Sequence, residues 1–389
     1  MSFALRVRQY LAARAFNRGT MLTAADDLPG AQSSLLTSLA LAPYTAMTWL
    51  NLGNAMMQEG DPDAALGCYR RAMNLEPGHP RGAVNAAIAL LTLGQWDEGW
   101  KLYEQRFALP QFQIRNGLKG GDESKMWRGE PLDGKTLLVF NEQGIGDVLM
   151  MARYLGSLSL DGSIVVRAPA SLLRLMRSSF GWLGVNCVSD AERMPAHDYL
   201  VPFMSLPFHL RPLIDEAPRS VYMSLYEDEP RYVVGLPEFT KVGIVWAGNP
   251  NHTGDKVRSI PFDTFAPLLN TPGVSFVSLQ VGSRALDAND YAIGRPELGD
   301  YYDTARVLKS LDLVITVDTS VAHLAGALGV LTWILIPLAA DWRWMKDRDE
   351  TPWYDSVTLY RQKTAGDWPE VIERVRSHLE AIVLHRSAA

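Results

Sequence analysis

A 34-residue period in the first 115 residues constrains this chain more than any other feature. The stretch "AMTWLNLGNAMMQEGDPDAALGCYRRAMNLEPGH", residues 46–79, sets Trp49, Leu52, Gly53, Met56, Ala65, Tyr69, Ala72 and Pro77 at the spacing of a helix–turn–helix repeat. One period earlier stand Gly19, Leu22, Ala31, Leu35 and Pro43; one period later stand Ala83, Ala87, Leu90, Gly99 and Tyr103. The small residues let paired helices approach closely, and the large ones fill the gap between them. No single unit of this kind buries its own apolar face, so consecutive units must stack.

These are the positions of the tetratricopeptide (TPR) pattern, strong in the middle repeat and degenerate in its neighbours, as terminal repeats of a short array are. The concave face of such an array is expected to recruit a protein partner; the plainer alternative is that the helices only cap the next domain. After "YEQRFALPQF" the period stops, and residues 107–134, rich in glycine, proline and mixed charge, read as a connector.

From there the spacing predicts strands. "KTLLVF" (135–140), "SIVVRA" (163–168), "VNCVS" (185–189) and "DYLVPF" (198–203) form one series. "KVGIVWAG", "VSFVSLQVG", "DLVITVD", "TWILIP" and "SVTLYRQ" form a second, with "YEDEPRYVVGLPEFT" between the two. Helical stretches such as "SLLRLMRSSF", "PFDTFAPLLN", "DTARVLKSL" and "SVAHLAGALG" separate most of them. Apolar strands alternating with helices mean parallel sheets covered on both faces. The expected fold class is α/β, with helical repeats over residues 1–115 followed by two Rossmann-like, doubly wound lobes over 116–230 and 231–389. The last helix, "WPEVIERVRSHLEAIVLHR", is expected to pack back across the lobes.

Composition removes several classes of function. A net charge of −6 argues against a general nucleic-acid binder. No apolar run is long enough to span a bilayer, and the first twenty residues carry scattered arginines rather than the apolar core of a secretory signal. Cys68 and Cys187 lack metal-like spacing, so free thiols in a reducing compartment are expected, and with them a cytoplasmic location.

In open α/β sheets ligands bind beyond the carboxyl ends of the strands, so the residues after each strand matter most. "NEQGIGDVLMMARYL" comes directly after the first strand of the first lobe. Gly144 and Gly146 permit a tight turn and close backbone approach, and Asp147 begins a helix. Helix capping alone explains such an aspartate, yet its place also suits a group that accepts a proton in a cleft. The third glycine of a dinucleotide fingerprint is missing. "WAGNPNHTGDKVRSIP", with Asn249, His252, Lys256 and Arg258, comes after the first strand of the second lobe; it reads either as a solvated turn or as a phosphate loop. His252 with Asp255 is too thin for a metal site. In "LDLVITVDTSVAHLAGALGV", Asp318, Thr319 and Ser320 form a turn between a strand and a helix whose N-terminus favours an anion. Ser320 and His323 lack the nucleophile-elbow pattern of a hydrolase, and His323 reads equally well as a satisfied helix histidine.

Together "GKTLLVFNEQGIGDVLMMARYL", "VGIVWAGNPNHTGDKVRSIP", "FVSLQVG" and the segment Asp312 to Tyr354 resemble bacterial TPR-containing glycosyltransferases, which are related to heptosyltransferases and more distantly to O-GlcNAc transferases. The resemblance covers nearly the whole chain and implies a GT-B fold, with the acceptor on the first lobe and the donor on the second. It implies an inverting transfer from a nucleotide-sugar, without a catalytic metal and without any cofactor besides the donor itself. Asp147 then matches the candidate base, with Gln143, Gly144 and Gly146 in its loop, and Arg258 a basic residue for the donor phosphates. Asn249, Lys256 and Gln280 fall among the donor-binding positions, and Asp318, Thr319, Ser320 and His323 on the diphosphate-and-sugar helix. The expected partners are a nucleoside-diphosphate sugar and a protein (or saccharide) acceptor brought by the TPR face. Neither nucleic acid nor a membrane span is expected, and a homo-oligomer is compatible with the sequence. The rival reading is a retired transferase that serves as a TPR scaffold.

Overall fold

In a computed structural model, residues 2–110, 112, 122–158, 162–210, 221–227 and 238–388 are described. The connector around 113–121, most of "YEDEPRYVVGLPEFT" and the expected boundaries at 115/116 and 230/231 fall largely outside them. The chain forms two compact units, Met1–Gly117 with Leu338–Asp347, and Leu118–Pro337 with Arg348–Ala389.

Among the described residues the helical unit contains three helix pairs: α1 (Phe3–Ala24) with α2 (Leu28–Leu41), α3 (Ala46–Glu59) with α4 (Pro62–Leu75), and α5 (Pro80–Thr92) with α6 (Trp96–Tyr103). The repeat is visible in the backbone. Asp26, Gly60 and Gly94, one period apart, all turn the chain with positive φ (66°, 88° and 74°). The aspartates after the first two, Asp27 and Asp61, cap α2 and α4 through hydrogen bonds from Gly30 and Ala64 amides. Helix contact keeps the same period. A Cβ on Gly19 would lie 2.6 Å from Leu35, and one on Gly53 would lie 2.5 Å from the Tyr69 ring.

Residues 338–347, expected inside the second lobe, belong instead to this helical unit. Trp342 meets Trp100 edge-on with ring centroids 5.3 Å apart, and Lys346 pairs with Asp63 at 3.1 Å. Trp342 and Trp344 are both buried.

The second unit holds two sheets. The first is β1 (Thr136–Phe140), β2 (Ser163–Ala168), β3 (Asn186–Ser189) and β4 (Tyr199–Pro202), in the order β3-β2-β1-β4 and parallel throughout. The second is β5 (Thr240–Val245), β6 (Val274–Ser278), β7 (Leu313–Val317), β8 (Thr332–Ile336), β9 (Glu350–Thr351) and β10 (Tyr354–Arg361), in the order β6-β5-β7-β8-β10-β9. It is parallel except for β9, a two-residue antiparallel edge absent from the sequence expectation. β7 and β8 are buried at every position, the mark of strands covered on both faces. The expected α/β fold with two parallel-sheet lobes is therefore present. The last helix, Trp368–Ala388, packs against residues 262–270 and β10, and its Val371, Val375 and Leu379 join the core of the second lobe.

Cys68 and Cys187 are both free and buried, and burial pushes each thiol up to about 11. Among the described residues no helix is long and apolar enough to cross a membrane.

Gly53 and Gly67 separate two effects of the same substitution. Tyr69 is buried and its hydroxyl is held by Asn54 at 2.9 Å, so the ring cannot retreat from a new methyl at position 53. Gly53→Ala is expected to destabilise by about 1–3 kcal/mol through overpacking. Among the described residues nothing stands within 4 Å of a Cβ on Gly67 in α4. There Gly67→Ala is expected to stabilise by about 0.5–1 kcal/mol from helix propensity. Urea unfolding measured by circular dichroism checks both signs.

Candidate functional site

The strand orders mark where a site belongs. β1 lies between β2 and β4, and β5 between β6 and β7, so in each sheet the chain first builds to one side of this strand and then crosses to the other. A crevice opens beyond the strand ends at each such reversal. The segment after β1, a loop running into a helix start, carries Gln143, Gly144, Gly146 and Asp147, while the segments after β5 and β7 carry Lys256, Arg258 and Asp318 to Ser320.

On the first lobe, Gly144 precedes the helix Ile145–Met151 and donates its N–H to Asp147 Oδ2 at 2.8 Å. The carboxylate is thus oriented by its own helix start and remains half-exposed. Gln143 is half-buried, with its backbone N–H on Asn141 Oδ1 at 3.1 Å. Gly146 is a glycine for a long-range reason: a Cβ there would lie 2.8 Å from His323 Cδ2 and 3.7 Å from the Ser320 Cα. The loop after β1 therefore meets the helix after β7, and two sequence-distant candidates come into direct contact.

On the second lobe, Arg258 donates from Nη1 to the Asp318 carbonyl at 3.0 Å, bridging the loops of β5 and β7 at the reversal point. Its guanidinium also lies 3.6 Å from the Asp255 carboxylate, which is buried. Gly248 makes room for this pair, since a Cβ there would fall 2.6 Å from Arg258 Nη2. The helix Ser320–Ala327 starts at Thr319, whose side chain does not cap it; the Thr319 hydroxyl lies 3.2 Å from that of Thr316. Ser320 shares a 2.7 Å hydrogen bond with Tyr301, whose phenol is pushed up by burial, with the Ser320 bond opposing. Asp318, Thr319 and Ser320 are all half-buried.

The remaining candidates divide. Lys256 is exposed and lines a cavity with Trp246, Phe262 and Arg284. Asn249 is exposed and turns its Oδ1 onto the Asn251 amide at 3.0 Å. Gln280 is buried, and its amide both accepts from the Ala247 N–H and donates to the Ala247 carbonyl, each at 3.0 Å. That two-point bond ties the end of β6 to the end of β5. His323 is buried, with Nδ1 2.9 Å from the Tyr354 hydroxyl.

Behind His323 lies a network that no sequence pattern announced. Arg153, 2% exposed, donates to the Met150 and Trp353 carbonyls at 2.8 and 2.7 Å and to the Tyr222 hydroxyl at 3.3 Å. It also lies over the rings of Tyr222, Trp353 and Tyr354. Burial pushes the Tyr354 phenol well above its ordinary range, so it stays a neutral hydroxyl. Sequence reasoning missed Arg284 and gave Asp255 no role here, although Arg284 obeys the strand-end rule by standing just after β6.

Comparison with known proteins adds four findings. The Tetratricopeptide repeat family profile matches residues 46–79. Protein FlbA of Caulobacter vibrioides is 28% identical over an alignment of 407 residues that covers 93% of this chain. This chain spans 66% of the length of that relative. Among solved structures, E. coli ADP-heptose LPS heptosyltransferase II is 16% identical, with 65% of this chain and 99% of that one covered at a TM-score of 0.44. MamA is 23% identical over 25% of this chain and 57% of that one, at a TM-score of 0.24.

The Gly146 contact carries its own prediction. Gly146→Ala is expected to lower the melting temperature by several degrees through overpacking against His323. Gly156→Ala, with nothing among the described residues within 4 Å of the new methyl, is expected to leave it within about one degree. Differential scanning fluorimetry of the two variants gives the comparison.

Proposed function

We propose that this chain is a glycosyltransferase that moves a sugar from a nucleoside-diphosphate donor to a protein or saccharide acceptor. The observation that carries the reading is the meeting of two helices that follow strand ends, at Gly146 and His323, with a carboxylate on one lobe and, on the other, an arginine bonded to the carbonyl of Asp318 just before its helix. Opposed acid–base and cationic groups of this kind suit a single displacement at an anomeric carbon.

Asp147 takes the proton of the acceptor hydroxyl as its oxygen bonds to the anomeric carbon. The bond from that carbon to the diphosphate oxygen breaks, and the nucleoside diphosphate leaves with the electron pair. Attack opposite the leaving group inverts the configuration. Arg258, Lys256 and the N-terminus of Ser320–Ala327 stabilise the charge growing on the departing oxygens, work that a metal ion performs in other phosphate sites. His323 supports the geometry from beneath, packed on Gly146 and bonded to Tyr354. The TPR array, in this reading, recruits the protein that carries the acceptor hydroxyl.

The test begins with calorimetry against uridine, guanosine, cytidine and adenosine diphosphate sugars, and then measures turnover of any that bind. Arg258→Ala is expected to cut the rate by about 10²–10³, the usual loss of an electrostatic clamp. Asp147→Asn is expected to lower it at least as far as loss of a general base does, about 10²–10⁴. Parent-like turnover by both variants on a genuine donor–acceptor pair would remove the assignment. Failure of the parent to bind any donor would favour the scaffold reading instead.

A further inference from the structure

We propose that Arg284 is a second ligand-holding cation of this site, and that the buried carboxylate of Asp255 is the positioning group that sets it beside Arg258. The inference rests on the reading of the site as a holder of a nucleoside diphosphate, and it adds a contact from the third loop of the sheet end.

Asp255 is 3% exposed, so its charge must be met by fixed partners. Its Oδ2 accepts from Arg284 Nη2 at 2.7 Å, and its Oδ1 accepts from the Ser259 hydroxyl at 2.8 Å. The Arg258 Nε is 3.6 Å from that same Oδ1, an ion pair longer than a hydrogen bond. Arg258 Nε is buried and has no hydrogen-bond partner among the described residues. The carboxylate therefore neutralises two arginines while fully bonding only one. Two guanidinium groups brought this close without it would repel one another.

A purely structural ion pair does not explain the rest of the arrangement. Gly248 is kept bare at the end of β5 so that Arg258 and Asp255 can pack over it. Gly282, with φ of 74°, turns the chain after β6 just before Arg284. The Arg284 side chain keeps 31% of its surface exposed and lines the cavity with Lys256, Trp246 and Phe262. A planar guanidinium held by one edge, with the remainder facing a cavity, suits phosphate oxygens. Loops after β5, β6 and β7 then each supply a group to one anionic ligand.

The experiment is calorimetry on the full chain with the four common nucleoside diphosphates and their matching nucleosides, which lack the phosphates. Arg284→Gln is expected to lower diphosphate affinity about tenfold or more, the worth of a charge-assisted hydrogen bond, with nucleoside affinity unchanged. Arg284→Lys, which keeps the charge, is expected to recover part of the loss. Asp255→Asn should show the same phosphate-selective loss. In an Arg258→Ala, Arg284→Gln background it should add almost nothing, because a positioning group has nothing left to position. Should Asp255→Asn fail to fold by circular dichroism, the two Arg284 variants decide alone. Parent-like diphosphate binding by Arg284→Gln, while Arg258→Ala has lost it, overturns this inference and leaves the nucleotide site standing. A parent chain that binds none of the four diphosphates overturns both.

Discussion

Contact between Gly146 and His323 is the constraint on which the rest of the α/β unit depends. Each lobe has its own sheet and its own order reversal; Asp147 stands at one crevice and Arg258 at the other. The segments after β1 and β7 come this close because position 146 has no side chain and a helix starting after Thr319 can press its histidine against it. The same helix admits a second bare residue, Gly326, whose Cβ would strike the Tyr354 ring at 2.5 Å. Small residues at 146 and 326 thus seat this helix between the loop of one lobe and the last strand of the other.

Beneath the contact, polarity replaces apolar packing. Arg153, Tyr354 and His323, all buried, and the half-buried Tyr222 form a chain of hydrogen bonds and ring contacts that crosses between the lobes. A buried guanidinium carries a desolvation penalty of several kcal/mol unless its donors are met. Here carbonyls from both lobes, Met150 and Trp353, accept from it. Directional bonds of this kind fix one mutual orientation, whereas apolar packing tolerates small slides. Arg174 adds a second crossing point, bonded to Asp303 at 3.0 Å and stacked 4.0 Å over Tyr302. Among the described residues, Arg153 and Arg174 thus tie the lobes together in addition to the contact of Gly146 with His323.

Much of this was legible in the sequence because it rests on local pattern. Nine strands appear where β-branched apolar runs predicted them, and the 34-residue period reappears as positive φ at Asp26, Gly60 and Gly94. Asp147, Arg258 and Ser320 stand out on strand positions alone, because each lies in the loop or helix start just beyond a strand's carboxyl end. The features that escaped depend on contacts with no local signature. β9 is two residues long, and its pairing is set by β10 rather than by its own composition. Residues 338–347 sit between two strands of the second sheet, so adjacency assigned them to it; burial of Trp342 against Trp100 assigns them to the helices. Gln280 does lie at a strand end, but spacing cannot reveal that its amide is already bonded on both sides to Ala247. Arg153 follows the apolar run "VLMMA", and no local pattern shows which carbonyls and rings meet its guanidinium.

Burial also ranks the cations of the site, which charge alone does not. Lys256 is exposed, so water screens its pull on any anion toward the bulk value, about 1 kcal/mol at 4 Å. Arg258 retains 18% of its side-chain exposure, in a setting where an effective dielectric near 20 makes the same separation worth about 4 kcal/mol. Its carbonyl bond to Asp318 fixes the guanidinium before any ligand arrives, so less rotamer freedom remains to be lost on binding. In the proposed donor site, the lysine contributes to attraction at a distance and the arginine to the bound state. A loop that read as mixed basic residues in sequence therefore has two unequal parts, and the difference between them is set by Asp255 and Gly248, neither of which carries positive charge.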